Sequence, residues 1–156
     1  DLSGKDLTDT IFTGANLSDT NLSGTDLSGK DLTQTVLPWV NLSNTNLTEI
    51  ILTGADLSNA NLSGVDLSGK NLTGTNLTGA DLSNAKLLDV NLTGANLQNA
   101  DLRYTLLVDA NLLNAILTGA DFSNAVLTGA ILTDANLEDA ILTNAILNCI
   151  GHSICI

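Results

Sequence analysis

Aromatic side chains are nearly missing from this chain. Phe, Tyr and Trp make up 3% of 156 residues, and there is no Met. A globular core of ordinary width uses more large side chains than this. The apolar mass is mostly Leu, Ala and Ile, which implies a narrow, uniform interior. Basic residues are scarce as well: five Lys and Arg stand against 17 Asp and Glu, for a net charge of −12. That excludes a conventional nucleic-acid binder, which needs cations for phosphates. It suits a basic partner or a soluble acidic surface. The single His, at position 152, leaves no Ser-His-Asp or Cys-His constellation to assemble, so no catalytic residues and no cofactor are expected. No apolar run reaches the length of a membrane span. The chain starts at Asp1 without Met, which reads as a processed form or a fragment.

What is present is a repeat. Every fifth residue from position 2 to position 147 is Leu, except Phe12 and Phe122, with no insertion. A period of five makes no stripe on a helix, because each step moves the side chain about 140° around the axis. On a straight strand it would put successive Leu on opposite faces. The chain must therefore turn within each repeat. The position two before the Leu is Ala 15 times and Thr seven times. Residues two apart on an extended piece point the same way, so this small residue shares the interior. The residue before the Leu is Asp or Asn in 20 repeats, the residue after it Ser or Thr in 22, and the next Gly, Asn or Asp in 25. The last is turn chemistry, at corners.

This pattern, A-[DN]-L-[ST]-[GND] as in ADLSN at 80–84, resembles the pentapeptide-repeat family over residues 1–150. The resemblance implies an all-β fold, a right-handed quadrilateral parallel β-helix. Four repeats would make a coil, with the Leu stacked inside. Thirty repeats would then give about 7.5 coils and a rod roughly 36 Å long. Residues 151–156 form a tail. Neither end shows a clear cap in the sequence, and an open coil is an edge that recruits other chains.

The stretches GTDLSGKD at 24–31 and GVDLSGKN at 64–71 come within one residue of a Walker A loop. The position of the Mg²⁺-binding hydroxyl holds Asp31 or Asn71, and no helix pattern follows, so a nucleotide site is excluded. Two corner glycines and the period of five generate the spacing. Lys5, Lys30 and Lys70 nevertheless occupy the small inward position, where a buried, unpaired ammonium is costly. Their stems are expected to pass through the corner and their heads to reach carboxylates such as Asp31; the alternative is an ion or ligand site, for which the sequence offers no second residue.

Other departures from the repeat mark candidate sites. At twenty residues per coil, Leu88, Leu106, Val108, Val126 and Ile146 share one face, with Leu113 and Ile131 on the next. Such a patch reads as an interface or as a surface covered by further sequence. Val36, Pro38 and Trp39 form a second candidate patch; Trp39 is expected to pack on a locally reshaped turn, with partner or glycan stacking as the alternative. Cys149 and Cys155 are close enough to bridge if the chain reverses at Gly151, and the repeat register fails at His152. A disulfide there would favour an extracytoplasmic location, and free thiols the cytoplasm. A metal site from the two Cys and His152 lacks a fourth ligand, so no metal is expected. The eight N-L-[ST] sequons arise from the repeat itself and are weak signals of glycosylation.

The face carrying Asp6, Asp9, Asp26, Glu49, Asp66, Asp89 and Asp109 is the most acidic. The expected function is a non-catalytic structural or protein-interaction module, self-associating through its C-terminal half, with no direct nucleic-acid contact and no membrane insertion. The alternative comes from the resemblance: some family members are similar to DNA in shape and charge and bind type II topoisomerases such as gyrase.

Overall fold

The computed structural model describes residues 1–155; Ile156, the last residue of the tail, lies outside the described residues. The chain winds into a four-sided parallel β-helix of twenty residues per coil. Each paired residue faces the one twenty positions on, as in Asn21 with Asn41 and Asn41 with Asn61. Four faces follow, named by their inward Leu columns. Face 1 starts at Leu2, face 2 at Leu7, face 3 at Phe12 and face 4 at Leu17.

Local chemistry explains the square section. The N–H of Thr25 donates to the Leu22 carbonyl at 3.2 Å, closing a turn across Ser23 and Gly24. This bond recurs at corner after corner. Every corner residue from Gly14 to Asn144 has a φ between +53° and +73°, the type II turn signature. Gly reaches that region without strain, and Asn and Asp tolerate it better than other side chains. The Asp or Asn before each Leu holds the turn from the other side: Asn21 Oδ1 accepts the Ser23 N–H at 3.1 Å.

Successive coils then exchange backbone bonds. The Leu22 N–H donates to the Asn41 carbonyl at 2.9 Å, and the Asn41 N–H to the Thr20 carbonyl at 3.0 Å. Stacking puts the Leu of each face directly over one another, and from Leu22 to Leu132 these columns are buried. Ala fills the space between them. Where Thr replaces Ala its hydroxyl finds a turn carbonyl, as Thr105 Oγ1 does at Leu102 O, 2.6 Å away. A buried hydroxyl without such a partner would cost more than the methyl gains.

The register slips at the C-terminal end, earlier than His152. Cys149 does not continue the left-handed corners, its N–H donates to Leu147 O at 2.7 Å, and Ile131 pairs with Ile150, nineteen residues on rather than twenty. The chain then bends back, with Cys155 N–H donating to His152 O at 3.1 Å. Cys149 and Cys155 are joined by a disulfide, and both pack with Ile154 against the core. The expectation of an uncapped end is corrected here for the C-terminal end. The last coil needs an apolar cover, and Cys149, Ile154 and Cys155 provide part of one. Among the described residues no helix is long and apolar enough to cross a membrane.

Candidate interaction face

Face 2 gathers more departures from the repeat than any other face. Its outward positions are the residues just before and just after each Leu. From the N-terminal end they read Asp6 and Thr8, Asp26 and Ser28, Asn46 and Thr48, Asp66 and Ser68. They continue as Lys86 and Leu88, Leu106 and Val108, Val126 and Thr128, Ile146 and Asn148. The face is acidic in its N-terminal half and aliphatic in its C-terminal half. Lys86 stands at the border and pairs with Asp66, Nζ to Oδ2, at 3.6 Å.

The acidic half is held ionised by its own turns. Bonds from the Thr8 hydroxyl and N–H keep the Asp6 carboxyl below its usual range, and Lys30 adds a smaller pull. The Ser28 hydroxyl and N–H do the same for Asp26, helped by the Asn46 amide, which donates from one coil away at 2.9 Å. Asp66 is lowered by Ser68, then by Lys86. The Ser68 N–H donates to Asp66 Oδ1 at 3.1 Å. The Ser68 hydroxyl lies beside the same carboxylate but is buried without a well-directed hydrogen bond.

The aliphatic half is graded. Leu106 and Ile146 are exposed, while Leu88, Val108 and Val126 are half-buried because each covers its neighbour in the stack. On face 3, Ile131 is exposed and Leu113 half-buried. The structure thus brings all seven residues onto two adjoining faces. Ile116 on face 4 and Ile141 on face 1 are also exposed, but each sits alone among polar neighbours.

The lysines depart from expectation. Lys5 lies in the terminal coil with its side chain exposed, not inward. Lys30 does not reach Asp31, whose Oδ1 is taken by the Thr33 N–H at 2.9 Å. Its ammonium instead donates to the backbone carbonyls of Thr8 and Thr10, one coil below. Those carbonyls are accessible because the ladder is open there. Residues 5–14 make no backbone bonds to residues 25–34, although Leu2 and Leu17 on either side pair normally. Around Lys70 the ladder opens again, between 44–52 and 63–71. The cause is volume: a Lys stem, longer than the Ala, Thr, Val or Ile that the position holds elsewhere, pushes neighbouring coils apart. Each opening leaves a cavity on face 2. One, of about 270 Å³, is lined by Lys5, Asp6, Asp26 and Lys30; the other, of about 310 Å³, by Thr45, Asn46, Asp66 and Lys70, among others. The reading from sequence missed these slots. The signal was the spacing of forty residues, two full coils, between the two G-x-D-L-S-G-K stretches.

Trp39 corrects a second expectation. Its turn is not reshaped: φ is +60°, like its neighbours, and the indole is 63% exposed rather than packed. Val36 is exposed beside a half-buried Pro38 on face 4, remote in column from the aliphatic ladder. Among the described residues no group of three or more His, Cys, Asp or Glu is placed to hold a metal ion.

Comparison with known proteins agrees with this architecture. The family model for pentapeptide repeats matches in eight copies, over residues 1–29, 31–69, 71–107, 95–134 and 105–144. No curated protein matches the sequence. Among solved structures, a trypsin-treated form of QnrB1, a plasmid-mediated fluoroquinolone resistance protein, superposes with a TM-score of 0.66 at 22% identity. That match covers 88% of this chain and 73% of that one. The pentapeptide-repeat protein Rfr23 from the cyanobacterium Cyanothece 51142 superposes with a TM-score of 0.51 at 29% identity, covering 89% of each chain. These relatives are right-handed β-helices, and so is this chain. The repeat, the coil and the model match agree: this chain belongs to the pentapeptide-repeat family.

Proposed function

We propose that this chain is a non-catalytic interaction module that pairs with a second copy of itself through the C-terminal half of face 2. The observation that supports this is the contiguous ladder Leu88, Leu106, Val108, Val126 and Ile146, set at outward positions where the repeat elsewhere places Asp, Asn, Ser or Thr. Leaving such a row in water is unfavourable, and a contiguous apolar patch is the usual mark of a protein contact. Four coils of one face make a strip only about 19 Å long. A stable interface buries about 800 Å² per partner, so the adjoining Leu113 and Ile131 belong to the same contact. The test is absolute mass by light scattering over a concentration series. The wild type should approach a dimer, and Leu106→Asp with Val126→Asp should remain monomeric. An unchanged mass in the double variant removes the ladder from the contact.

A second reading rests on the acidic half. Asp6, Asp26 and Asp66, with Asp9, Glu49, Asp89 and Asp109 at the adjacent corner, line one side of a narrow rod. An acidic rod of this kind presents a charge pattern suited to the DNA-binding surface of a type II topoisomerase. The resemblance to QnrB1, named a fluoroquinolone resistance protein, is one of fold. Inhibition or protection of gyrase supercoiling by an excess of the protein would support this reading; no effect at any ratio would discard it.

A further inference from the structure

We propose that the slot at Lys70 binds a small oxyanion, of the carboxylate or phosphate class, and that the matching slot at Lys30 does not. The two slots have nearly the same sequence and the same position on face 2, so their difference isolates the cause. At the first, the ammonium of Lys30 is satisfied by the Thr8 and Thr10 carbonyls, and two carboxylates, Asp6 and Asp26, line the walls. An anion entering there would lose hydration and meet repulsion.

At the second slot the balance reverses. Lys70 is half-buried, and its ammonium makes no hydrogen bond or ion pair among the described residues. The one lining carboxylate, Asp66, is already engaged by Lys86 and by the Ser68 N–H. Opening the ladder also frees donors. In the intact coils above, the Leu87 N–H donates to Leu106 O at 2.8 Å and the Lys86 N–H to Val65 O at 2.9 Å; the N–H groups of Leu47 and Asp66 have no such partner. The Ser68 hydroxyl on the wall is buried and poorly satisfied. A cation with unpaired N–H donors around it is the donor set that holds an oxyanion. A cavity of about 310 Å³ holds phosphate or a carboxylate with its water. The chain as a whole carries a net charge of −12 and repels anions, so any saturable uptake must be local.

Backbone amide shifts followed during titration with inorganic phosphate, at fixed ionic strength in chloride, test this. The expected result is a saturable, millimolar response confined to residues 44–52 and 63–71. It should be lost in Lys70→Met and kept in Lys30→Met. Both variants place an apolar chain at a position where Ile50 and Val90 already fit, so both should fold, with circular dichroism as the check. Acetate in place of phosphate should move the same amides if the class is right. If the natural oxyanion is a carboxylate of a second copy, those amides will also shift on protein dilution, and phosphate will compete. No saturable response, a response spread over all four faces, or one that survives in Lys70→Met would overturn the proposal.

Discussion

Arg103 grips Asp101 with Nε at 2.8 Å and Nη2 at 2.5 Å, and does so in the middle of a column of three carboxylates on face 1. Asp81 stands one coil before it and Asp121 one coil after, and both pull on the same guanidinium. Stacked coils force like residues to within about 4.8 Å of each other. Elsewhere an amide stacks on the carboxylate: the Asn76 side chain donates to Asp56 at 2.9 Å, as Asn46 does to Asp26. On face 1 the cation does that work. Arg103→Gln should therefore lower the melting temperature by about 2 °C at low salt, with the loss shrinking as salt screens the column. A loss independent of salt would mean that packing, not charge, is what Arg103 supplies.

The Asx turns predict an acid response of known sign. The carboxyls of Asp26 and Asp31 are lowered from the usual 3.8, chiefly by the hydroxyl and then the N–H of the residue two ahead. A depressed folded value means that the stabilisation is fully present above about pH 4 and is lost as pH falls through the folded value. Asn performs the same turn without titrating, as Asn21 and Asn41 show. The double variant Asp26→Asn with Asp31→Asn should melt close to wild type at pH 7 and above it at pH 3. Thermal denaturation at the two pH values decides. Parallel losses on acidification would place the acid sensitivity elsewhere.

The strict period of five made the rod legible from sequence alone. It fixed the Leu columns, the small inward residue and the corner, because each position has only one physical role. The alignment at twenty residues per coil placed Leu106 beside Val126 correctly. The slots were not legible. Lys70 read as a single awkward residue, whereas its effect is on the ladder, through backbone bonds that no side-chain pattern encodes. Trp39 was misread for a related reason. A bulky residue suggested a reshaped turn, but the corner conformation is imposed by the stacked coils on both sides. The bridge between Cys149 and Cys155 was legible from their spacing, but the cap was not, because the register slips at Cys149 and the tail that covers the end follows no period.

If Lys70 holds the ladder open, hydrogen exchange will show it. The amides of Leu47 and Leu52 should exchange roughly tenfold or more faster than those of Leu87 and Leu92, whose bonds at 2.8 and 2.7 Å are intact. Lys70→Met should slow the first pair and leave the second unchanged. Equal protection in the wild type would mean that the coils close over the lysine in solution.

Corner strain gives a stabilising prediction. Trp39 sits at φ +60° with its indole 63% exposed, so it takes the cost of the left-handed region without compensating burial. Trp39→Gly should raise stability by about 1 kcal/mol, measured by denaturant unfolding. A decrease would show that the indole contributes a contact worth more than the strain.

The disulfide decides what the C-terminal end presents. Cys149 and Cys155 close a short loop that lays Ile154 against the core, where Leu137, Leu142 and Leu147 are only half-buried. Closing so short a loop stabilises the tail by about 2 kcal/mol. With reductant, or in Cys149→Ser with Cys155→Ser, the tail should fray first and the exchange protection of Ile150 and Gly129 should fall, while coils further down keep theirs. The frayed end then exposes both apolar side chains and an unpaired coil edge. Light scattering should show masses rising beyond a dimer in the reduced sample and a single mass in the oxidised one. The same mass under both conditions would mean that the loop holds its place without the bond and that self-association runs through the side of the rod alone.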